Sequence, residues 1–487
     1  MKLQPTASHF VNGTYLEDVE GTSFDTVDPA TGETLATLKA ATPSVVSSAV
    51  RSAQMAQCKW AATPPAERGR VLKKAAALLK ERNDSLARLE SFDTGKPIQE
   101  TLVSDPSSAA ECFDFYADVG SALDETVQPL DGGKLYTRRE PLGICAGIGA
   151  WNYPIQIASW KAAPALAAGN AMIFKPSDLT PLSALKLAEI LIEAGLPRGI
   201  FNVVQGGREV GEMLVSDPLI AKVSLTGSVA TGKAIMRSAA QTLKHITLEL
   251  GGKSPLIVFE DADLDDAVSG ALMGNFYSSG QICSNCTRVF VHEEIYPLFM
   301  EKLVKRTKAI KLGSPLDPET QMGPLISRAQ YDKVLSYIAQ GVDEGATILT
   351  GGRSGRGIRP NQNWFIEPTI FVDVDDHMTI AREEIFGPVM CVFKFRSDEE
   401  VIRRANDSRF GLAGGLFTRD LSRAKAVASR LHSGICWVNT YNEYPIAMPF
   451  GGYKESGLGR ENGILGLLHY TQVKSVFVRE TKMESSM

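Results

Sequence analysis

A chain of 487 residues is longer than one hydrophobic core usually supports, so two or three domains are predicted. The 51 Lys and Arg residues are scattered and are outnumbered by the 56 Asp and Glu residues, which argues against a nucleic-acid partner. The composition therefore favours a small-molecule ligand.

We expect neither an export signal nor a membrane span. The first ten residues contain one lysine and no apolar run, so we expect no signal peptide and a soluble, cytoplasmic protein. The most apolar stretch, residues 155–174, is interrupted by Lys161 and Pro164, which indicates a buried helix and strand and not a membrane span.

The N-terminal half of the chain predicts a parallel sheet. Strands are predicted at 143–148, 171–174, 201–204 and 222–225, with helices at 157–168 and 181–194. This alternation is typical of a doubly wound sheet, which binds ligands at the carboxyl ends of its strands.

A second α/β unit is predicted after the Gly251-Gly252 pair. An apolar strand is expected at 255–259, and the alternation continues to about Asn439. Residues 445–459 are rich in Gly and Pro and lead to a predicted terminal strand at 473–478. An apolar end segment of this kind invites pairing with the sheet edge of another subunit.

Two loops that follow predicted strands have residues suited to a phosphate and a ribose. Gly227, Ser228 and Gly232 lie at a strand-to-helix junction, where free backbone N–H groups can face a phosphate. Lys175 and Asp178 follow another strand and can bond ribose hydroxyl groups. Together the two loops suggest a dinucleotide; an ordinary turn and a solvated charged loop are the alternatives.

The stretch GQICSNC at 280–286 holds two of the seven cysteines. No second Cys-x-x-Cys accompanies it, and the histidines are isolated, so a zinc site is not favoured. A nucleophilic thiol needs a base or a lowered pKa, and a donor for the oxyanion that forms when it attacks a carbonyl group. Beside Cys283, Glu249 is a candidate base and Asn152 a candidate donor. The remaining cysteines are expected to be inert.

Four motifs, taken together, carry a family resemblance. AWNYP at 150–154, LELGGK at 248–253, GQIC at 280–283 and EEIFGPV at 383–389 resemble the aldehyde dehydrogenase superfamily in order and spacing, over nearly the entire chain. Within it, residues 137–143, 147–154 and 449–454 are most similar to the enzymes that oxidise betaine aldehyde and 4-trimethylaminobutyraldehyde.

The resemblance implies an α/β fold with a Rossmann-type dinucleotide-binding domain and a second α/β catalytic domain. The first domain is expected to span 1–121 and 143–250, and the second 251–439. Residues 122–142 and 440–487 are expected to form a small strand region for oligomerisation, in a homodimer or homotetramer.

The resemblance also implies a covalent mechanism. Cys283 attacks the aldehyde, while Asn152 and the Cys283 backbone N–H stabilise the oxyanion. Hydride then leaves for the nicotinamide cofactor, and a water activated by Glu249 hydrolyses the thioester to release the acid.

Three further residues are expected close to this centre. Lys161 and Glu461 match the positions of charge-relay partners for Glu249, and a salt-bridged structural role for the pair is the alternative. Cys286 is expected to be a bystander; the alternative is a reversible Cys283–Cys286 disulfide that forms under oxidant and blocks the nucleophile.

The cofactor implied by the resemblance is NAD, with NADP as the alternative because Asp178 stands where many relatives have glutamate. The expected cofactor-binding residues come from several loops: Gly149, Ala150, Trp151, Lys175, Ser177, Asp178, Gly227, Ser228, Gly232, Gly251, Glu384 and Phe386.

The substrate implied by the resemblance is betaine aldehyde, whose quaternary ammonium selects aromatic faces because it cannot form hydrogen bonds. The expected substrate-binding residues are aromatic: Tyr153, Trp160, Tyr277, Tyr441 and Phe450. Rings that only line a core are the alternative. Relatives often carry tryptophan at the position of Tyr441 and glutamate at that of Ala447, so a longer cationic aldehyde is a second candidate.

Two other functions are weighed against this one. Oxidation of an anionic semialdehyde predicts arginine in the substrate pocket, and none stands at the aromatic positions. A non-catalytic binding protein on the same fold would not need both Cys283 and Glu249. The resemblance further implies monovalent cation sites for potassium, one at Thr26, Val27, Asp93 and Leu179 and another at Lys454 and Gly457.

Overall fold

The computed structural model describes residues 3–120, 125–355 and 364–482. Its first third holds short strands, five helices and a β-hairpin. In chain order these are β1 His9–Val11, β2 Thr14–Leu16, β3 Ser23–Val27, β4 Thr34–Lys39, α1 Pro43–Ala62, α2 Pro65–Glu81, α3 Asn83–Thr94, α4 Ile98–Ser104, α5 Pro106–Val119, β5 Thr126–Leu130 and β6 Gly133–Pro141. Three of the helices begin at a proline, whose fixed φ suits the first helical position.

The alternating segment that follows builds the first large sheet. Its elements are β7 Ile144–Ile148, α6 Pro154–Ala167, β8 Ala171–Lys175, α7 Leu182–Ala194, β9 Phe201–Val203, α8 Arg208–Ser216, β10 Ile220–Thr226, α9 Val229–Ala239 and β11 His245–Glu249. Strands β9, β8, β7, β10 and β11 are neighbours in that order and run parallel. Their residues are almost all buried, as expected for a sheet covered by helices on both faces.

The second large sheet is also mainly parallel, in the order β14-β15-β16-β13-β12-β18-β19. The elements of this part are β12 Pro255–Val258, α10 Leu264–Phe276, β13 Arg288–His292, α11 Tyr296–Lys308, α12 Arg328–Asp343, β14 Thr347–Thr350, β15 Thr369–Val372, α13 Thr379–Arg382, β16 Val389–Phe395, α14 Asp398–Asn406, β17 Phe410–Gly411, β18 Ala413–Phe417, α15 Leu421–Ala428 and β19 Ile435–Val438. Side chains of Asp263, Ser327, Ser397 and Asp420 cap α10, α12, α14 and α15.

The C-terminal segment returns to the first half of the chain. It contains β20 Tyr453–Lys454, β21 Gly457–Leu458, α16 Gly463–Leu468 and β22 Thr471–Arg479. β21 pairs with β11 at the edge of the first sheet. β22 pairs antiparallel with β6 on one side and forms the outer edge of a three-stranded sheet, β22-β6-β5, so its predicted pairing with another subunit stays a prediction. Six apolar side chains of this outlying sheet are exposed: Val127, Leu130, Val473, Val476, Phe477 and Val478.

The predicted elements agree closely with the structure. Every strand predicted between 143 and 259 is confirmed, with ends that move by at most two residues. The helix expected at 157–168 begins three residues earlier because Pro154 occupies its first turn. No helix in the described parts of the chain has the length and apolarity needed to cross a bilayer. The domain boundaries and the oligomeric state stay predictions.

A substitution of Asn170 tests how the first sheet and the C-terminal segment are joined. Its buried side chain accepts a hydrogen bond from the Gly143 N–H (2.9 Å) and donates to the carbonyl oxygens of Ala165 (3.1 Å) and Tyr470 (2.9 Å). Asn170→Ala removes the side-chain partner of the Gly143 N–H and of the Tyr470 carbonyl oxygen, while Ala165 keeps its bond from the Asn170 N–H, so we expect a loss of about 2 kcal/mol in the free energy of unfolding. Urea denaturation measures it. Lys186→Ala, at an exposed i,i+3 pair, is the control and should change stability by less than about 0.5 kcal/mol. An equal effect of both variants would contradict this role.

Candidate active site

Four parallel strands end level with one another and define the edge where the site lies. In the register of the first sheet, Ile148 is opposite Lys175 and Leu225, and Thr226 is opposite Glu249. The loops after β7, β8 and β10 and the last residue of β11 therefore meet at the carboxyl edge, where doubly wound sheets bind ligands.

A cavity of about 1240 Å³ opens at this edge. Most of the predicted site residues line it: Cys283, Glu249, Asn152, Gly149, Ala150, Trp151, Lys175, Ser177, Asp178, Gly227, Ser228, Gly251, Glu384, Phe386, Tyr153, Trp160, Tyr277 and Phe450. The cavity is large enough for a dinucleotide and a small second molecule together. Its lining brings the end of the first sheet together with the loops around Cys283 and Glu384.

One end of the cavity has the chemistry of a ribose and phosphate site. The Lys175 ammonium donates to the carbonyl oxygens of Pro176 and Gly206, both at 2.8 Å, and burial lowers its pKa to about 8. Helix α9 begins beside it, with the Ser228 hydroxyl accepting from the Thr231 N–H at 3.2 Å. Gly227, Ser228, Ala230 and Thr231 at this helix start line the cavity, and a helix N-terminus stabilises an anion.

Glu384 reaches the cavity because a glycine leaves room for it. Its carboxylate accepts a hydrogen bond from the Gly252 N–H at 3.1 Å, and a Cβ on Gly251 would lie only 2.0 Å from its Oε2. Trp151 and Phe386 meet edge to face nearby, with ring centroids 5.2 Å apart. Together these residues suit a polyhydroxyl group beside a flat ring.

Cys283 stands on a loop that follows an unusual turn. Ser278 and Ser279 both have positive φ, 49° and 56°, at a cost of about 1–2 kcal/mol each for residues with a side chain. Strain of this kind persists only where surrounding contacts enforce it. Asn152 fixes the loop from the other side: its Nδ2 donates to the Gln281 carbonyl oxygen at 3.0 Å, which leaves its second amide hydrogen available.

The Cys283 thiol is neutral in this environment. Burial raises its pKa to about 12, and the nearby carboxyl groups of Glu249 and Glu384 act in the same direction. The backbone N–H groups of Cys283 and Ser284 oppose this effect and lower the pKa. These two N–H groups are also placed to donate to an oxyanion that forms on a carbon bonded to the sulfur.

Glu249 is a buried acid in the cavity lining, close enough to Cys283 to raise the pKa of its thiol. Neither of its carboxyl oxygens has a hydrogen-bond partner within the described residues. Burial raises its pKa well above the ordinary value, Glu461 raises it further, and Lys161 and Arg460 lower it. Gly451 leaves space for it, since a Cβ there would lie 2.7 Å from Glu249 Oε1. Such a carboxyl group exchanges a proton in the neutral range more readily than an exposed one.

Lys161 and Glu461 form a buried pair behind this carboxyl group. The Lys161 Nζ lies 2.8 Å from Glu461 Oε1, which also accepts from the Ser224 hydroxyl at 2.8 Å. Both side chains are almost fully buried, and neither lines the cavity. Lys161 lowers the pKa of Glu249 and Glu461 raises it, and the predicted relay role of the pair stays a prediction.

Aromatic rings form the wall beside Cys283. Trp160 and Phe450 meet with centroids 5.3 Å apart, and Tyr444 lies 5.3 Å from Phe450. Tyr153 and Tyr277 line the same end. The cationic residues in the cavity lining are Lys175, Arg208 and Lys333, and none of them belongs to this aromatic wall.

Tyr441, a predicted substrate residue, is not part of the lining. Its hydroxyl donates to the Ser284 carbonyl oxygen at 2.7 Å, and its ring packs on Trp437. Tyr444 lines this wall instead, and it was not predicted from the sequence. Asn442, two residues before it, has positive φ. Two tyrosines three apart were the available signal, but the register of an irregular loop decides which one faces the cavity.

Two other residues singled out from the sequence, Gly232 and Cys286, lie behind the lining. Gly232 is buried in α9, where a Cβ would lie 2.7 Å from Leu250. Cys286 is fully buried, with its sulfur 3.5 Å from the Asn275 Nδ2 and 3.6 Å from the Gly274 carbonyl oxygen. It is a free thiol, as is Cys283.

The first predicted cation site is a compact group away from the cavity. The Thr26 hydroxyl lies 2.8 Å from Asp93 Oδ1 and 3.2 Å from the Leu179 carbonyl oxygen, with Val27 next in sequence. Burial raises the pKa of Asp93 to about 7. At the second site, the Lys454 ammonium donates to two carbonyl oxygens, those of Asn406 and Ser408, and Gly457 packs against Leu248. Cation binding at either place stays a prediction.

Comparison with known proteins agrees with this architecture. The aldehyde dehydrogenase family model matches residues 15–476. Betaine aldehyde dehydrogenase from Agrobacterium fabrum is 58% identical over 486 residues, which cover 100% of this chain and 98% of that protein. The NAD+ complex of aldehyde dehydrogenase from Bacillus cereus superposes with a TM-score of 0.95 at 44% identity, covering 98% of this chain and 97% of that one. A betaine aldehyde dehydrogenase point mutant from Staphylococcus aureus, in complex with NAD+, gives 0.95 at 36% identity and covers 98% of both chains. The predicted fold class is therefore confirmed.

The raised pKa of Cys283 can be measured by alkylation. Because the thiol is neutral up to about pH 12, the rate of iodoacetamide labelling at Cys283 should rise about tenfold per pH unit between pH 6 and 9. Mass spectrometry of the labelled peptide follows the rate, with exposed Cys58 as the internal comparison and Cys283→Ser as the blank. A plateau near pH 7 would show a stable thiolate and contradict this environment.

Proposed function

The chain belongs to the aldehyde dehydrogenase family, and from that premise we propose that it oxidises betaine aldehyde to glycine betaine with NAD, through a covalent intermediate on Cys283. The observation that carries the proposal is the meeting of Cys283, Asn152 and Glu249 at the aromatic end of one cavity. The other end of that cavity has the ribose and phosphate chemistry described above. Membership of the family makes the chain an oxidoreductase, and the non-catalytic alternative is set aside.

The cofactor-binding residues are proposed on the fit of their chemistry. Lys175 and Asp178 suit the adenosine ribose, the first turn of α9 suits the pyrophosphate, and Glu384 suits the second ribose. When bound, the nicotinamide ring supplies an acceptor for hydride. NAD rather than NADP is proposed because Asp178, Glu209 and Glu212 place three carboxylates beside two cations at this end of the lining, a net negative field that disfavours a 2′-phosphate.

Formation of the covalent intermediate needs a proton acceptor as well as a nucleophile. The neutral Cys283 thiol passes its proton to the Glu249 carboxylate, which later returns it to solvent, as the sulfur bonds to the aldehyde carbon and the carbonyl oxygen becomes an oxyanion. The free amide hydrogen of Asn152 and the Cys283 N–H donate to that oxygen. Asn152 is buried and Cys283 half-buried, and donors act more strongly there than in bulk water.

Glu249 serves in the second half of the reaction. After hydride loss the acyl group is held as a thioester on Cys283, and a water molecule must lose a proton to attack it. The Glu249 carboxylate accepts that proton, and Lys161 with Glu461 holds the local charge balance as it does so. Attack breaks the carbon–sulfur bond and releases the carboxylic acid and the thiol.

The aromatic wall favours a cationic, bulky aldehyde. A trimethylammonium group has no hydrogen-bond donor, and the ring faces of Trp160, Phe450 and Tyr444 attract a cation without one. An anionic semialdehyde is disfavoured because this wall contains neither arginine nor lysine. The longer 4-trimethylaminobutyraldehyde is the second candidate, since it carries the same head group.

Cys283→Ala tests the proposal directly. NADH formation with betaine aldehyde should fall below detection in this variant, because no other thiol lines the cavity within the described residues. Unchanged NAD binding, measured by protein fluorescence, is the control for folding. Equal rates in the variant and the parent protein would refute Cys283 as the nucleophile.

An uncharged substrate tests the preference for a cationic aldehyde. With the parent protein, 3,3-dimethylbutanal, the uncharged isostere of betaine aldehyde, should have a kcat/KM about tenfold lower than that of betaine aldehyde. Equal values of kcat/KM would exclude a preference for cationic aldehydes.

Glu249→Gln tests the base through pH dependence. Burial raises the pKa of Glu249, so the active carboxylate form appears only above the ordinary carboxyl range, and kcat should increase with pH above that range. In the variant, kcat should fall by about 10²–10⁴ and this dependence should vanish. A rate in the variant that keeps both the magnitude and the acid limb of the parent protein would exclude Glu249 as the base.

A further inference from the structure

The turn that precedes the nucleophile has a backbone that must be held by its neighbours. Ser278, Ser279 and Gly280 are consecutive, buried and left-handed, with φ of 49°, 56° and 73°. Only glycine adopts this conformation readily, so the two serines need contacts that compensate for it. Tyr277 begins the turn and Cys283 follows it, and both line the cavity.

One buried carboxyl group makes most of these contacts. The Ser278 N–H lies 3.2 Å and 3.1 Å from Oε1 and Oε2 of Glu100, and the Ser278 hydroxyl lies 2.9 Å from Oε2. Glu100 belongs to α4, 178 residues earlier in the chain, and is itself buried. It does not line the cavity, so it is placed to act through the turn.

The same contacts extend to the aromatic wall. The Tyr153 hydroxyl lies 2.8 Å from the Ser278 hydroxyl, which links Tyr153, Ser278 and Glu100 in one chain of hydrogen bonds. Burial raises the pKa of Glu100 to about 8. The link persists in both forms: the carboxylate accepts from the Ser278 hydroxyl, and the protonated acid donates to it while its other oxygen accepts from the Ser278 N–H.

Tyr153 is held from a second direction. The Lys96 ammonium lies 3.6 Å from the centroid of its ring, and this ammonium is bonded to the buried carboxylate of Asp105. One face of the Tyr153 ring is therefore already covered by a cation. With the hydroxyl bonded and one face covered, the orientation of this ring is set by residues outside the cavity.

We propose that Glu100 is a positioning residue for the substrate end of the site: it holds the Ser278–Ser279 turn and the Tyr153 hydroxyl together, and thereby fixes Tyr277, Tyr153 and the Cys283 loop relative to one another. The kinetic test of this inference rests on the proposed function, whereas the positioning role itself rests on the contacts of Glu100, Ser278 and Tyr153. The cofactor end, built from the loops after β8 and β10, is outside the reach of these contacts.

The test compares Glu100→Ala, Glu100→Gln and Ser278→Ala with Ser279→Ala as the matched control. Ser279 has the same left-handed backbone and its hydroxyl donates to the Gly323 carbonyl oxygen at 2.9 Å, but it has no hydrogen bond to Glu100 among the described residues. Glu100→Ala should lower kcat/KM for betaine aldehyde by about tenfold or more, mainly through KM, because a shift of about 1 Å in binding groups has effects of this size. NAD binding should stay within about twofold, because the cofactor end is separate.

Rescue distinguishes this role from a general loss of stability. Glu100→Gln keeps the shape and both hydrogen-bonding positions, so it should recover most of kcat/KM, and Ser278→Ala, which cuts the link to Tyr153, should fall between the two. The rate of Cys283 alkylation relative to Cys58, measured at pH 8, should rise in Glu100→Ala as the loop loosens and stay constant in Ser279→Ala.

Two results would overturn the proposal. One is a Glu100→Ala variant with kcat/KM and alkylation rate within about twofold of the parent protein; the other is an equal effect of Ser279→Ala. If Glu100→Ala does not fold, Ser278→Ala against Ser279→Ala decides in the same way. Failure of the proposed function has a different signature: the unmodified protein then forms no NADH with any aldehyde, while the alkylation comparison still decides the role of Glu100.

Discussion

The constraint on which this molecule depends is the level register of the strands at the carboxyl edge of the first sheet. Because Ile148, Lys175 and Leu225 are in register and Thr226 is opposite Glu249, the residues that follow them converge without any long loop having to fold over the edge. A slip of one position in any strand would turn its side chains to the other face of the sheet. The buried, apolar strands prevent that slip, so the cavity is a consequence of core packing.

Burial at this edge also determines the protonation of the reacting groups. The Cys283 thiol and the Glu249 carboxyl group both have raised pKa values, with burial as the largest cause in each. Because the resting Cys283 thiol is neutral, it is protected from indiscriminate alkylation and oxidation, which need thiolate. Proton transfer is then coupled to the arrival of an aldehyde carbon, since only bond formation makes loss of the thiol proton favourable.

The sequence predicted more of the fold than of the site's supporting contacts, and the reason is the distance over which each kind of signal acts. Strands β7, β8 and β10 could be recognised from short apolar runs, and the motifs around Asn152, Glu249 and Cys283 supplied their own local context. The ion pair of Lys161 with Glu461 joins residues 300 apart in the sequence. The residues around either one do not predict its partner, which only the family resemblance suggested. The choice between Tyr441 and Tyr444 depends on left-handed backbone at Asn442, which no periodicity encodes.

Glu100 belongs to the same class of contact and shows why it escapes a reading of the sequence. In an amphipathic helix a glutamate is normally assigned to the solvent face, because a buried carboxyl group is costly unless it is bonded. Here it is buried and has three contacts to one serine. The desolvation of the acid and the left-handed backbone of the turn are each unfavourable alone, and each becomes tolerable because the other supplies its partner. Two locally unfavourable features that compensate each other across 178 residues maintain the geometry near Cys283 at the expense of the local stability of either segment.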